Sequence, residues 1–284
     1  MANTKIEWAT KVWNPVTGCT PISAGCANCY AKRMATRLRG RHGYDKENPF
    51  GVKVHSDKLN EPDKWKTPQR VFVCSMGDIF HEFVTEVTLK MLHLKMKRMK
   101  QHTFILLTKR PTNAYRFYQR NLKWDADHLL SDNIWIGVSV ENQKLAERRI
   151  PVLLSIPSKV KFISAEPLLG PIDLSKIPGA EKLSWIIAGG ETGPQACPCH
   201  PDWVRSLRDQ CKNDGIPFFF KGWGVWVPSV QIVPSLSEKS YIGPIEKSTS
   251  KDFFTTTCCV FQKTNKKISG NFIDGKQYHE FLKI

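Results

Sequence analysis

The sequence lacks the segments that insert a protein into a membrane or send it out of the cell. Nowhere among its 284 residues do about 18 apolar residues follow one another. The chain also shows no charged segment that leads into an apolar one at its start. This pattern argues against membrane spanning and secretion, and we expect a cytoplasmic protein.

Acidic residues are scarce. The chain has 26 Asp and Glu against 42 Lys and Arg, a net charge of +16. Residues 30–123 hold 21 of the basic residues and 8 of the acidic ones. This excess predicts a polyanionic partner, with nucleic acid or a nucleotide as the first candidate. Arg33, Arg37 and Arg41 lie in a dense basic run and are the candidate phosphate-binding residues, although a merely solvated helix face is the alternative.

The composition excludes a disordered chain, since 41% of the residues are hydrophobic and 24% are charged. The length suits one α/β barrel or one doubly wound domain. We expect that domain over residues 1–228, because the alternation of strands and helices ends there. Residues 229–284 are expected to form a C-terminal extension, with β-rich runs that suit a small β appendage.

Six short apolar runs predict parallel strands that are buried on both faces. They are Arg70–Ser75, Thr103–Thr108, Asn133–Val140, Lys159–Ala165, Leu183–Ala188 and Pro217–Phe220. Helices are predicted between them, at Thr85–Lys100, Pro111–Asn121, Asn142–Ile156 and Pro201–Asn213. In the first helix, Val87, Met91 and Leu94, with Leu92 as a further candidate, form an apolar face opposite the basic residues. The alternation is typical of a (β/α) barrel or a doubly wound sheet.

Charged residues follow nearly every predicted strand. Asp78, Lys109, Arg110, Glu141, Glu166, Glu191 and Lys221 all come within a few residues of a strand end. Parallel strands bring their carboxyl ends to one edge, so these groups should meet at one site.

The sharpest chemical signal is the C-x6-C-x2-C spacing of Cys19, Cys26 and Cys29. Nine cysteines is an odd number, and in a reducing compartment a disulfide framework is a poor explanation. Three thiolates from one loop can hold three irons of a 4Fe-4S cluster and leave the fourth iron open. A zinc site completed by His42 or a later cysteine is the alternative. Cys197 and Cys199 are candidate ligands of a second metal.

Several runs together resemble a known kind of protein: VWNPVTGCTPISAGCANCYAKR, VFVCSMGDIF, KFISAEPLLGPID and WIIAGGETGP. Between about Ile6 and Trp226 the chain is similar to a phage-associated family of uncharacterised three-cysteine proteins that resemble radical S-adenosylmethionine enzymes. The resemblance implies a partial (β/α)6-type barrel, and it implies that the three cysteines hold a 4Fe-4S cluster. It also implies S-adenosylmethionine as cofactor, cleaved by reduction to a 5′-deoxyadenosyl radical.

The same resemblance, combined with strand order, assigns roles around the cofactor. Gly77 and Asp78 are assigned to the methionine amino group, Ser139 and Glu141 to the ribose, and Glu166 to the adenosyl side. Glu191 and Lys221 are the candidate catalytic residues, with Glu191 facing the substrate.

Two functions remain open at this point. The first is a radical S-adenosylmethionine enzyme that modifies or repairs a nucleic acid or a nucleotide. The second is a non-catalytic nucleic-acid-binding or phage-related interaction protein, with structural zinc at the three cysteines. Either function leaves room for a partner protein.

Overall fold

The computed structural model describes residues 4, 6–121, 130–228, 253–255, 260–263 and 270–282. Over these residues the predicted alternation of strands and helices is confirmed. The helices are α1 (Tyr30–Arg37), α2 (Glu86–Arg98), α3 (Pro111–Asn121), α4 (Gln143–Leu154) and α5 (Pro201–Asp214). The strands are β1 (Lys11–Trp13), β2 (Val16–Thr17), β3 (Lys53–Val54), β4 (Arg70–Val73), β5 (Thr103–Thr108), β6 (Ile134–Ser139), β7 (Lys161–Ala165), β8 (Trp185–Gly189), β9 (Phe218–Gly222), β10 (Trp226–Pro228), β11 (Phe253–Thr255), β12 (Val260–Lys263), β13 (Phe272–Ile273) and β14 (Lys276–Gln277).

Seven parallel strands form the main sheet, in the order β1-β4-β5-β6-β7-β8-β9. Each strand pairs with the next one along the chain, apart from β2 and β3, which form an antiparallel pair of their own. A doubly wound sheet would reverse its order at one point, whereas this sequential order is that of a barrel. Strands β1 and β9 stand at the two ends of the order, so the barrel is open. The predicted partial barrel is confirmed, with β1 as an additional strand.

The two faces of the sheet pack against different partners. One face packs with helix residues such as Leu92, Ile150 and Leu207 in the larger apolar core. The other face carries large side chains, among them Trp185 and Phe219, and no helix of the described part of the chain contributes to their cluster. They are Phe72, Ile105, Trp135, Phe162, Trp185, Ile187 and Phe219, and Trp8 joins them from outside the sheet. This second cluster fills the inside of the half-barrel.

Local signals explain where the helices begin and end. The Asn142 side chain accepts from the Leu145 N–H at 3.1 Å and caps α4. Helix α5 starts at Pro201, whose missing N–H costs nothing in a first turn. Gly215 ends α5 with a φ of +67°, as the sequence predicts. No helix among the described residues is long and apolar enough to span a membrane.

The predicted apolar face of α2 does not face the core. Val87 is 67% exposed and Leu94 is 50% exposed, and Met91 lies on the same side. Leu92 and Met96 are the buried residues of this helix. Leu89 also packs against the core, so helix α2 has two apolar stripes of three residues each, and the structure buries the one that contains Leu92.

The last described residues return to the open end of the barrel. The Phe220 N–H donates to the Tyr278 carbonyl at 2.7 Å, and the Glu280 N–H donates to the Phe218 carbonyl at 3.2 Å. Trp185 inside the barrel donates from Nε1 to the Glu280 carbonyl at 2.9 Å. Strands β10, β12 and β11 form a small antiparallel sheet. The division at residue 228 stays a prediction, since most of 229–269 lies outside the described residues.

Candidate functional site

A cavity of about 510 Å³ opens at the edge of the sheet where the parallel strands end. We call this edge the carboxyl edge. Residues at or just after the ends of six successive strands, β4 to β9, line the cavity, and they include Asp78, Lys109, Ser139, Glu166, Glu191 and Lys221. Of the strand-end residues that the sequence analysis names, all but Glu141 therefore line this cavity.

The three cysteines of the C-x6-C-x2-C motif all line the same cavity. They lie on residues 18–29, the cysteine loop, which connects β2 to α1. Gly18 begins this loop with a φ of +86°, and a Cβ there would lie 2.1 Å from the Gly51 carbonyl oxygen. Gly18 also forms a parallel bridge with Gly77, where a Cβ would lie 2.8 Å from the Gly18 oxygen. Two glycines thus let the loop lie directly against the end of β4.

Two cations lie beside two of the thiols. Arg110 Nη1 is 3.2 Å from Cys19 Sγ, and Lys109 Nζ is 3.6 Å from Cys26 Sγ. Burial and the Asp78 carboxylate raise the pKa of Cys19 to about 11. Burial also acts to raise the pKa of Cys26, but a backbone hydrogen bond at Ile22 and the Lys109 charge hold it below its ordinary value.

The donor set fits an iron–sulfur cluster. Three soft thiol ligands open into one cavity, and positive charge lies beside two of them, which suits an anionic cluster. Among the residues that the structure describes, no three His, Cys, Asp or Glu side chains lie close enough to hold one metal ion together. A cluster does not demand that closeness, because each thiolate binds its own iron.

Asp78 is buried, and protein donors occupy its carboxylate. It accepts from the Thr108 hydroxyl at 2.7 Å, from the Lys109 N–H at 3.1 Å and from the Phe80 N–H at 3.0 Å. Arg110 Nη1 adds an ion pair at 3.4 Å. Asp78 therefore ties the end of β4 to the end of β5, and its assignment to the methionine amino group stays a prediction.

Ser139 and Glu141 occupy different positions. Ser139 lines the cavity at the end of β6. The Glu141 side chain is fully buried beneath the cysteine loop. Its Oε1 accepts from the Ser23 hydroxyl at 2.7 Å and from Lys109 Nζ at 2.5 Å, and Arg149 pairs with Oε2 at 3.3 Å. Glu141 thus anchors the loop, and its contact with a ribose stays a prediction.

Glu166 lines the cavity, and one of its carboxylate oxygens has no partner among the described residues. Lys221 Nζ donates to Glu166 Oε2 at 2.6 Å, which holds the carboxylate across the end of the barrel. Glu166 Oε1 is buried and has no hydrogen-bond partner. A buried carboxylate oxygen without a donor is costly unless a ligand supplies one. Glu191 lies opposite and accepts from the Cys197 N–H at 2.8 Å.

The three predicted phosphate-binding arginines separate into two groups. Arg37 and Arg41 are exposed, and Arg41 Nη2 donates to the Arg37 carbonyl at 2.7 Å. Arg33 is half-buried and donates from Nη2 to the Thr192 carbonyl at 3.3 Å. Arg33 therefore joins α1 to the loop that follows β8.

The sequence predicts that Arg110 and Lys109 lie at the site, but it does not predict that they contact the cysteine thiols. Both stand among the charged strand ends, but nothing in the sequence indicates that they contact sulfur. The only signal is the position of the pair at the end of an apolar strand.

Cys197 is exposed and Cys199 is buried, and they belong to no metal-holding group among the described residues. A second metal there stays a prediction.

Spore photoproduct lyase is among the solved proteins to which this chain is similar. Its complex with dinucleoside spore photoproduct is 13% identical to the chain, with a TM-score of 0.43, and the match covers 74% of this chain and 62% of that one. A double mutant with bound AdoMet and dinucleoside spore photoproduct is 12% identical, with a TM-score of 0.40 and the same coverage. The chain thus spans less than two thirds of the length of these proteins.

No curated protein matches the chain. A family profile matches residues 3–282, nearly the whole sequence. Its description is "Protein of unknown function (DUF5131)", and the association with phages stays a prediction. The chain belongs to the DUF5131 family.

Proposed function

We propose that this protein is a radical S-adenosylmethionine enzyme that modifies or repairs a nucleic acid or a nucleotide. One observation carries the proposal: the Cys19, Cys26 and Cys29 thiols open into the same cavity as the acidic and basic groups of the carboxyl edge. Iron–sulfur chemistry and recognition of a polar ligand would then take place within one cavity.

In this proposal Cys19, Cys26 and Cys29 hold a 4Fe-4S cluster. When bound, the cluster would supply one electron to S-adenosylmethionine and split it into methionine and a 5′-deoxyadenosyl radical, as the sequence resemblance implies. The chain itself positions the ligand and keeps water out. The aromatic residues inside the half-barrel close the cavity from below.

Glu166 is the acceptor that the proposal assigns to the cofactor. S-adenosylmethionine carries an ammonium group and two ribose hydroxyls, all of which donate hydrogen bonds. Glu166 lines the cavity, and its Oε1 is buried without a hydrogen-bond partner among the described residues. Lys221 holds the other oxygen at 2.6 Å and so fixes the direction of the carboxylate. A charge-assisted bond of this kind contributes about 1.5–3 kcal/mol to binding.

The substrate class follows from charge. The net charge of +16 favours a polyanion, and Arg37 and Arg41 are exposed near the cysteine loop along the sequence. Nucleic acids and nucleotides are polyanions that carry bases on which a radical can act.

The test is iron uptake by cysteine variants. After anaerobic reconstitution we expect iron, sulfide and absorbance near 400 nm in the wild type and in Cys211→Ala. Cys211 is also a thiol, but it is buried on α5 and so serves as the matched control. Cys26→Ala should lose nearly all of its iron, because one of three ligands is gone. Wild-type protein should cleave S-adenosylmethionine to 5′-deoxyadenosine when dithionite is added.

Two results would contradict the proposal. Equal iron content in Cys26→Ala and in the wild type would remove the cluster from these cysteines. A colourless wild type with one zinc per chain would favour the non-catalytic binding protein.

A further inference from the structure

We infer that Arg110 is a positioning residue that holds the Cys19 thiolate in place and makes the cluster easier to reduce. The inference rests on the proposed function, since it requires a cluster at the three cysteines. It concerns a residue to which the sequence resemblance gives no role.

Arg110 donates hydrogen bonds to two neighbouring residues of the cysteine loop. Its Nη1 lies 3.2 Å from Cys19 Sγ, and its Nη2 donates to the Thr20 hydroxyl at 2.7 Å and to the Thr20 carbonyl at 3.1 Å. Arg110 is only 8% exposed, so water competes little for these bonds. The first cysteine of the motif is therefore fixed from a different strand of the barrel.

Arg110 is itself held in one orientation. Its Nε donates to Glu82 Oε2 at 2.8 Å, and its Nη1 pairs with Asp78 Oδ2 at 3.4 Å. The planar guanidinium can satisfy two carboxylates, a thiol and a carbonyl at once because its five N–H groups point in fixed directions. A lysine keeps the charge but lacks this planar set of N–H groups, which we call the fork.

The contact between Arg110 and Cys19 would stabilise the reduced state of the cluster. Reduction adds an electron, and an N–H donor or a positive charge at a coordinating sulfur stabilises the more negative state. Asp78 and Glu82 act against this effect, as the influence of Asp78 on Cys19 shows, but both carboxylates remain when Arg110 alone is replaced, so the contribution of Arg110 keeps its sign. Glu82 has a side chain that is 52% exposed and screened by water, and Asp78 shares its charge with several other donors. Arg110 should therefore raise the reduction potential.

Arg110→Gln removes the charge and part of the fork. We expect its reduction equilibrium to shift at least tenfold towards the oxidised cluster, which is about 59 mV for one electron. Glu82→Gln removes a negative charge beside Arg110, so its potential should move in the opposite direction, by less. Potentiometric titration of the reconstituted proteins, followed by electron paramagnetic resonance, measures both shifts, and iron content per chain is measured in parallel.

Two further variants separate position from charge. Arg110→Lys should recover most of the potential but less of the iron, because it keeps the charge without the fork. Arg205→Gln is the matched control: Arg205 is also an arginine between two carboxylates, Asp202 and Asp274, but it lies on α5. It should change neither iron content nor potential.

The outcomes are distinct. If Arg110→Gln keeps the wild-type potential and iron content, the inference is wrong and the proposed function stands. If Glu82→Gln shifts the potential in the same direction as Arg110→Gln, a general structural effect replaces the inference. Loss of iron in a folded Arg110→Gln that Arg110→Lys restores only in part supports positioning, whereas full recovery in Arg110→Lys would mean that charge alone matters and would overturn the positioning role. If Arg110→Gln does not fold, the sign of the Glu82→Gln shift decides. A wild type without a cluster overturns the inference and the proposed function together.

Discussion

Glu141 joins three separate parts of the chain. It lies just after β6, and its carboxylate receives Ser23 from the cysteine loop, Lys109 from the end of β5 and Arg149 from α4. The Glu141 side chain is fully buried, and the Arg149 side chain is 5% exposed, so water replaces little of this ion pair. Removing one partner of a buried ion pair leaves the remaining charges uncompensated.

Glu141→Gln should therefore destabilise the protein by about 3–5 kcal/mol. Urea unfolding measures the change in the free energy of unfolding. The matched control is Asp132→Asn, which removes a carboxylate from an exposed pair with Lys159 and should cost no more than about 1 kcal/mol. Similar losses in the two variants would mean that Glu141 does not anchor the cysteine loop.

For individual residues, the sequence predicts which side chains lie near one another but not which hydrogen bonds they form. Three cysteines with close spacing must lie near one another, and strand order brings Asp78, Glu166 and Glu191 to one edge. The Arg110 contact with Cys19 joins positions 91 residues apart. The same holds for Ser23 and Glu141, which are 118 residues apart. Such pairs follow from the folded geometry, and no local pattern encodes them.

Helix α2 shows how an element can carry two apolar stripes. Val87, Met91 and Leu94 are spaced for one helical face, and Leu92 and Met96 for another. Leu89 belongs with the second pair, so each stripe has three apolar residues, and the core receives the second stripe. Periodicity alone cannot choose between them, because the choice depends on the shape of the core beneath.

Substitutions on the two stripes should have different costs. Val87→Lys and Leu94→Lys are expected to change the free energy of unfolding by no more than about 0.5 kcal/mol, as for other exposed positions. Leu92→Ala should cost about 2–5 kcal/mol, because it leaves a cavity in the core. Thermal and chemical unfolding of the three variants check the assignment. A large loss in Leu94→Lys would place this stripe against other parts of the protein.

Strands were more predictable than helix faces. Parallel strands buried on both sides are runs of apolar residues, and all six predicted runs are strands of the main sheet. The seventh, β1, is three residues long and includes Lys11. Its identity as a strand comes from its register with β4, in which Lys11 pairs with Val71. A pattern read along one segment does not contain that pairing.

The charge of the whole molecule is open to a direct test. Arg37→Glu with Arg41→Glu should weaken nucleic-acid binding and flatten its salt dependence, by about 0.9 in the log–log slope for each lost phosphate contact on duplex DNA. Titrations at several salt concentrations measure the slope.

The matched control changes net charge equally on another helix. Lys144 and Arg148 lie on α4 and are exposed, with the same spacing as Arg37 and Arg41. Lys144→Glu with Arg148→Glu should weaken binding less. Equal losses in the two double variants would mean that only total charge attracts the partner, and that α1 forms no particular contact.

The pairing of residues 278–280 with β9 bears on how the protein is made. Strand β9 ends the open barrel. Without a cover, the backbone groups on its outer edge would be unpaired, and another chain could aggregate on them. His279 forms an antiparallel bridge with Phe219 and so covers this strand. On the ribosome, β9 emerges about 60 residues before its cover does. During that interval the nascent chain holds a nearly complete half-barrel with an uncovered strand edge. We expect a chaperone to bind at this stage.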